Sequence, residues 1–263
     1  MAVILGGTLA APAWANERTL ARARQFYNAG NQDAAIAAAI DARNDARVAN
    51  AATVVLARAY LERFRVTGDR QDLDAAREAL QSVQPARLTP RDRLDLVVGF
   101  GEALYLDGGY GAAAEIFEPL LDAAGQLGPR ARERVIDWWA SAIDAEARAR
   151  PAAERAPYYR RIVERMESEL EKESGLSIVS YWVAAGALGT GDVTRAWQAA
   201  VAGWVRASFS PDGRAAVRAD LDRLVLEAII PDRVRTSLLP STEVAAAADG
   251  MRTEWELVKQ KWK

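Results

Sequence analysis

The sequence predicts an all-α protein, an α-solenoid of stacked antiparallel helix–turn–helix units closed by C-terminal capping helices. Three observations carry this. Ala, Leu, Arg and Glu dominate the 263 residues, and these side chains lose little rotamer freedom on entering a helix. β-branched residues are scattered and do not gather into strand-like runs. One local pattern recurs: an apolar helix, a turn containing Gly, then an Ala-rich helix.

The turns fall at Gly30, Gly68, Gly108 and Gly191. The first two intervals are 38 and 40 residues and the third is 83, about twice as long. A degenerate unit is therefore expected over residues 131–174, with helices Ala131 to Arg148 and Ala156 to Lys172 joined across Arg150-Pro151. The array spans residues 16–209 in about five hairpins, and residues 210–263 form the cap.

The unit with the clearest pattern runs from Phe100 to Phe117. It has Gly101 in its first helix, a Gly108-Gly109-Tyr110 turn, Ala113 in its second helix and Phe117 after it. Small residues permit close helix approach, large apolar ones fill the gaps between helices, and Gly permits the turn. This segment resembles the tetratricopeptide repeat family. Residues 51–85 share the resemblance through Ala57, Tyr60, Ala76, Leu80 and Pro85, with roughly seven extra residues before Leu73 lengthening the first helix or its turn. Residues 176–206 match through Ala184, Gly191-Asp192 and Ala196, and residues 17–43 match weakly.

The resemblance implies a binding surface on the first helix of each pair. Its lining would include Arg24, Tyr27 and Asn28, then Arg58 and Glu62, then Glu102 and Tyr105, then Tyr181. Arg24 and Arg58 suit a partner carboxylate in fork geometry. The implied function is a non-catalytic scaffold or adaptor of the cell envelope that holds a peptide or protein partner. The alternative is a small-molecule or substrate-binding subunit of an envelope transport system, with the Trp-rich second half enclosing a pocket.

Residues 1–15, MAVILGGTLAAPAWA, read as an export signal cut after Ala15. An apolar run from Val3 to Ala11 precedes small residues at Ala13 and Ala15, and charge begins at Glu17. No basic residue precedes the run. The competing reading is a short apolar helix of the mature fold. Export places the chain in the periplasm or outside the cell. No other segment approaches the ~20 apolar residues of a membrane span.

Composition narrows the chemistry. The chain has no Cys and no His, so Ser-His-Asp, Cys-His and thiol–disulfide mechanisms are excluded, as is a disulfide framework. The formal charge of −2 gives no field to attract nucleic acid. Lys occurs only at Lys172, Lys259, Lys261 and Lys263, and the other basic residues are Arg.

Several motifs fall to plainer readings. Glu173-Ser174 resembles the Glu-Ser of lytic transglycosylases, but the Gly-rich and Met-Gln motifs of that family are missing, so a turn between helices is expected. Asp69, Asp72 and Asp74 lack calcium-loop spacing, and Asp69 or Asp72 is expected to cap a helix. Gly108 to Gly111 lacks the Lys-Ser/Thr of a phosphate loop. No catalytic residue, metal site or cofactor is expected.

Thr89 or Asp92 should start the helix that follows Pro85. Tyr158 to Lys172 should be a polar helix whose i,i+4 pairs, Arg160/Glu164 and Arg165/Glu169, keep one face solvated. Leu221, Leu224, Val225, Ala228 and Ile229 mark an amphipathic helix ended by Pro231. Five of the eight Trp residues are Trp138, Trp139, Trp182, Trp197 and Trp204. Adjacent Trp138 and Trp139 diverge by ~100° and cannot both face inward. A final helix from Gly250 to Lys263 carries Met251, Trp255, Val258 and Trp262 on one stripe. That stripe packs on the preceding helices, or it docks a partner helix or a membrane surface through Met251, Trp255 and Trp262.

Overall fold

The computed structural model describes residues 13–123, 125, 128–209 and 214–263. They are helical throughout, with no strand among the described residues. The chain divides into two compact units, Met1–Leu127 and Gly128–Lys263.

The first unit contains α1 (Ala13–Asn28), α2 (Gln32–Ala42), α3 (Ala49–Thr67), α4 (Arg70–Ser82), α5 (Pro90–Leu106), α6 (Tyr110–Phe117) and the short α7 (Leu120–Ala123). Three of the glycines picked out by spacing close its hairpins. Gly30, Gly68 and Gly108 have φ of +74°, +71° and +86°, a left-handed conformation that costs an L side chain about 1–2 kcal/mol. Side chains then start the second helices: Asn31 accepts from the Ala34 amide and Asp69 from the Gln71 amide.

Only Gly68 and Asp69 separate α3 from α4, so the extra residues of that repeat lie in the 19-residue α3 and not in the turn. Thr89 caps α5. Its hydroxyl accepts from the Asp92 amide and donates to the Asp92 carboxylate. Within the unit, α3 packs against both α2 and α4 and also lies beside α1 and α5. The first helices thus form a row, α1–α3–α5. Leu61, Leu73 and Leu80 fill the space between α3 and α4. Gly101 lets α5 close on α6: a Cβ there would sit 2.6 Å from the Phe117 ring, which is fully buried.

The second unit contains α8 (Pro129–Arg148), α9 (Ala156–Lys172), α10 (Ser177–Gly189), α11 (Val193–Ala207), α12 (Arg214–Leu224), α13 (Ile230–Thr236) and α14 (Ser241–Lys261). The α8/α9 hairpin fills the double-length interval, with 3-10 geometry at Ala152–Glu154 in its turn. Gly191, at φ +86°, turns α10 into α11, and Asp192 caps α11 by accepting from the Arg195 amide. Here α10 packs on α9 and α11 and lies beside α8 and α12. Trp139 is buried and its neighbour Trp138 half-buried, the division that a 100° step per residue requires.

Three expectations are corrected. Pro231 does not end a helix. A π-helical turn over Val225–Ile229 sits between α12 and α13, and the Ile230 amide donates five residues back, to the Val225 carbonyl. The widened turn lets the chain pass Pro231, which has no N–H to contribute. The last helix starts at Ser241, not at Gly250. Finally, the polar helix α9 is not solvated at Glu169, which is fully buried. No helix among the described residues is long and apolar enough to cross a membrane.

Residues 1–12, which carry most of the expected export signal, lie outside the described residues. α1 begins at Ala13, so the expected cut after Ala15 falls in its first turn.

Candidate functional site

Of the residues expected to line a binding surface, Tyr27, Arg58 and Glu102 are drawn together in the first unit. Arg58, near the middle of α3, reaches across to α5. Its Nη2 donates to Glu102 Oε1 at 3.1 Å, its Nε to Glu102 Oε2 at 3.3 Å and its Nη1 to Asp95 Oδ1 at 2.7 Å. From α1, the Tyr27 ring packs under the same guanidinium at 5.1 Å. Burial works against the Arg58 charge, but Glu102, Tyr27 and Asp95 outweigh it and raise its pKa above the ordinary guanidinium value.

Arg24 on α1 pairs with Asp92, three residues beyond the α5 cap at Thr89. The fork geometry expected of Arg24 and Arg58 therefore exists at Arg58, but its carboxylate is Glu102 of the same chain. Both guanidiniums hold carboxylates of their own chain, Arg58 through three bonds at 12% exposure and Arg24 through one at 42%. Glu62 pairs with Arg65 one turn along α3. Tyr105 stacks edge-on with Tyr110 across the α5/α6 turn, with centroids 5.2 Å apart. Asn28 is exposed at the end of α1.

A neighbouring ion pair escaped the sequence. Arg63 of α3 grips Asp72 of α4 with two bonds, at 2.6 and 2.8 Å, and reaches Asp33 of α2 at 2.7 Å. Of the Asp69, Asp72 and Asp74 cluster, Asp69 is the cap and Asp72 is a buried ion-pair partner. The spacing of Asp72 was the only local signal, and it pointed to capping.

In the second unit, Tyr181 lies on α10, half-buried and edge-on to Trp182. Burial, then the nearby carboxylates of Asp220, Asp144 and Asp137, push its hydroxyl up to about 12. Two of those carboxylates hold aromatic donors: Trp182 Nε1 donates to Asp137 at 2.9 Å and the Tyr159 hydroxyl to Asp144 at 3.1 Å. Glu169 is met by Arg132 at 2.7 Å, Arg165 at 2.9 Å and Lys172 at 3.0 Å. Glu173 closes α9 and pairs with Arg132, so this side chain of the Glu-Ser pair is in an ion pair.

The stripe on α14 is mostly committed to its own unit. Trp255 is fully buried, edge-on to Trp197 at 6.0 Å and Trp204 at 5.4 Å, and its Nε1 donates to Asp222 at 2.7 Å. Lys259 donates to the same carboxylate at 2.8 Å. Met251 packs on this core. Trp204 Nε1 and Arg218 both donate to the Trp262 carbonyl, at 3.2 and 2.6 Å, while the Trp262 side chain stays 42% exposed. Trp255 is thus enclosed by its own unit, while Met251 is partly buried.

Trp139, Trp182, Trp197 and Trp255 are buried in the core, while Trp138 and Trp204 are half-buried. A cavity of about 620 Å³ lies elsewhere, between α13 and α14, and has no Trp in its lining. No group of three or more acidic residues placed to hold a metal ion occurs among the described residues. No family model matches the chain, and no curated protein or solved structure matches it.

Proposed function

We propose that the chain is a non-catalytic scaffold of the cell envelope, built from tetratricopeptide-like hairpins, that holds a peptide or protein partner along its first helices. The observation that supports this most is the α1–α3–α5 row. Arg58 ties α3 to Tyr27 of α1 and to Asp95 and Glu102 of α5, so three helices present one pre-organised surface. The left-handed turns at Gly30, Gly68, Gly108 and Gly191, and the Gly101–Phe117 approach, match the repeat pattern read from sequence. The engaged state of Arg24 and Arg58 changes how such a partner is held. In the first unit the contacts fall to exposed Asn28 and to Tyr105, with the ion pairs serving as framework; Tyr181 lies on α10 of the second unit. Export rests on the pattern of residues 1–15.

Affinity capture from native envelope extract with the chain from Asn16 onward tests this reading. Recovery of one protein complex supports it. Recovery of only a bound metabolite supports a small-molecule carrier in its place, and recovery of nothing specific contradicts both.

A further inference from the structure

The cavity between α13 and α14 has a lining that names a ligand class. Seven of its nine residues are aliphatic or small: Ile230, Pro231, Val234, Leu238, Leu239, Val244 and Ala248. The other two are Arg235 and Arg252, and no acidic side chain is among them. Each arginine spends one bond on an Asp a turn away, Arg235 on Asp232 at 2.8 Å and Arg252 on Asp249 at 2.6 Å. A guanidinium has five N–H donors, so both keep donors to spare. These are exposed pairs, 72% and 52% open at the arginine, so exchanging or sharing the partner costs little.

The backbone departs from regular helix on both sides of the α13 wall. The π turn at Val225–Ile229 immediately precedes Ile230 and Pro231. After α13, Leu238 takes a left-handed φ of +50°, where Gly is the usual residue, and leaves its side chain 92% exposed at the cavity. An isolated leucine that open to water is ordinary. Here it extends an apolar wall that Val244, 40% exposed, meets from the other helix.

We infer that this cleft binds a fatty carboxylate, with its aliphatic chain along Val234, Leu238, Val244 and Ala248 and its head group on Arg235 and Arg252. The cavity volume falls within the roughly 300–1,000 Å³ of small-ligand sites. A protein partner needs about 20–30 residues on each side of a stable interface. The nine residues here are too few. The aliphatic lining selects a chain over an aromatic ligand, and the two cations without a lining carboxylate select an anionic head. The inference uses none of the first-helix residues and stands apart from the scaffold reading.

The test is calorimetric titration of the full chain with laurate, below its micelle concentration. Dodecyltrimethylammonium serves as the charge-reversed probe, and phosphatidylglycerol vesicles as the bilayer source of the same chemistry. Saturable laurate binding is expected, with no saturable signal from the ammonium probe. Arg235→Gln/Arg252→Gln, whose sites are exposed and tolerate the change, should weaken laurate about tenfold or more. Val244→Trp, which fills the cleft from an exposed position, should weaken it independently. Three results would overturn the inference: no laurate binding, binding unchanged in both variants, or equal binding of the ammonium probe. Association with vesicles but not with monomeric laurate would also overturn it, in favour of a membrane-surface contact.

Discussion

Arg58 and Glu102 face each other across α3 and α5 in a two-pronged ion pair, with 3.1 Å from Nη2 to Oε1 and 3.3 Å from Nε to Oε2. Glu102 is 1% exposed, so the pair is shielded from water. Losing Glu102 leaves the buried Arg58 charge held by Asp95 alone. Glu102→Ala is expected to cost about 3–5 kcal/mol in urea unfolding. Arg58→Met/Asp95→Asn/Glu102→Leu, which removes all three charges of the cluster at similar volume, should recover most of that loss. Equal losses in the single and triple variants would show that packing, not charge, holds this site.

Glu169 gives a pH signature of known sign. Burial alone would raise its pKa, but the bonds from Arg132 and Lys172, with Arg165 beside them, reverse this and lower it from 4.5. A carboxylate with a depressed folded pKa contributes stability that is full above its unfolded pKa. That contribution is lost as pH falls through the folded value. Glu169→Gln should cost about 2–3 kcal/mol at neutral pH. The gap between wild type and variant should narrow only below about pH 4.5, as followed by denaturant midpoints across pH. A constant gap down to pH 3 would contradict it.

Two glycines should respond to alanine for different reasons. At Gly101 the new Cβ meets the Phe117 ring at 2.6 Å, an overpacking cost of about 1–3 kcal/mol that Phe117→Leu should partly relieve. At Gly108 nothing lies within 4 Å, and the cost of about 1–2 kcal/mol comes from φ +86° alone. Phe117→Leu should give no relief there. Thermal unfolding of the four variants separates the two causes.

Trp255 lies within α14 and Trp262 at its C-cap, and their substitution should have different effects. Trp255→Ala is expected to cost about 3–5 kcal/mol, since the ring is fully buried between Trp197 and Trp204. Trp262→Ala keeps the carbonyl that Trp204 and Arg218 bind, so it should cost under about 1 kcal/mol. Deleting residues 250–263 should lower thermal stability sharply. An unchanged melting temperature would mean that α14 is an appendage.

The turns were legible in the sequence because a left-handed backbone selects Gly by sterics alone, with no reference to distant residues. The α8/α9 hairpin was legible for a similar reason, through Pro151 and the doubled spacing between Gly108 and Gly191. Pairing was not. Arg58 and Glu102 lie 44 residues apart, and their alignment depends on α3 packing beside α5. The sequence placed both on first helices as partner-facing groups without showing that each is the other's partner. Glu169 was misread for the same cause: its local match to Arg165 suggests a surface pair, while Arg132, 37 residues away, completes the buried cluster. Pro231 misled because a π turn, invisible in hydrophobic spacing, carries the chain past it.

The central claim is that partners are held along the first helices. Site-specific photo-crosslinking in native envelope extract tests it most directly, with the reactive residue placed at Asn28 or Tyr105 on α1 and α5, or at Ile40 or Asp74 on α2 and α4. The account predicts one common crosslinked species from positions 28 and 105 and none from 40 and 74. The same species from Ile40 and Asp74, with none from Asn28 and Tyr105, would contradict it.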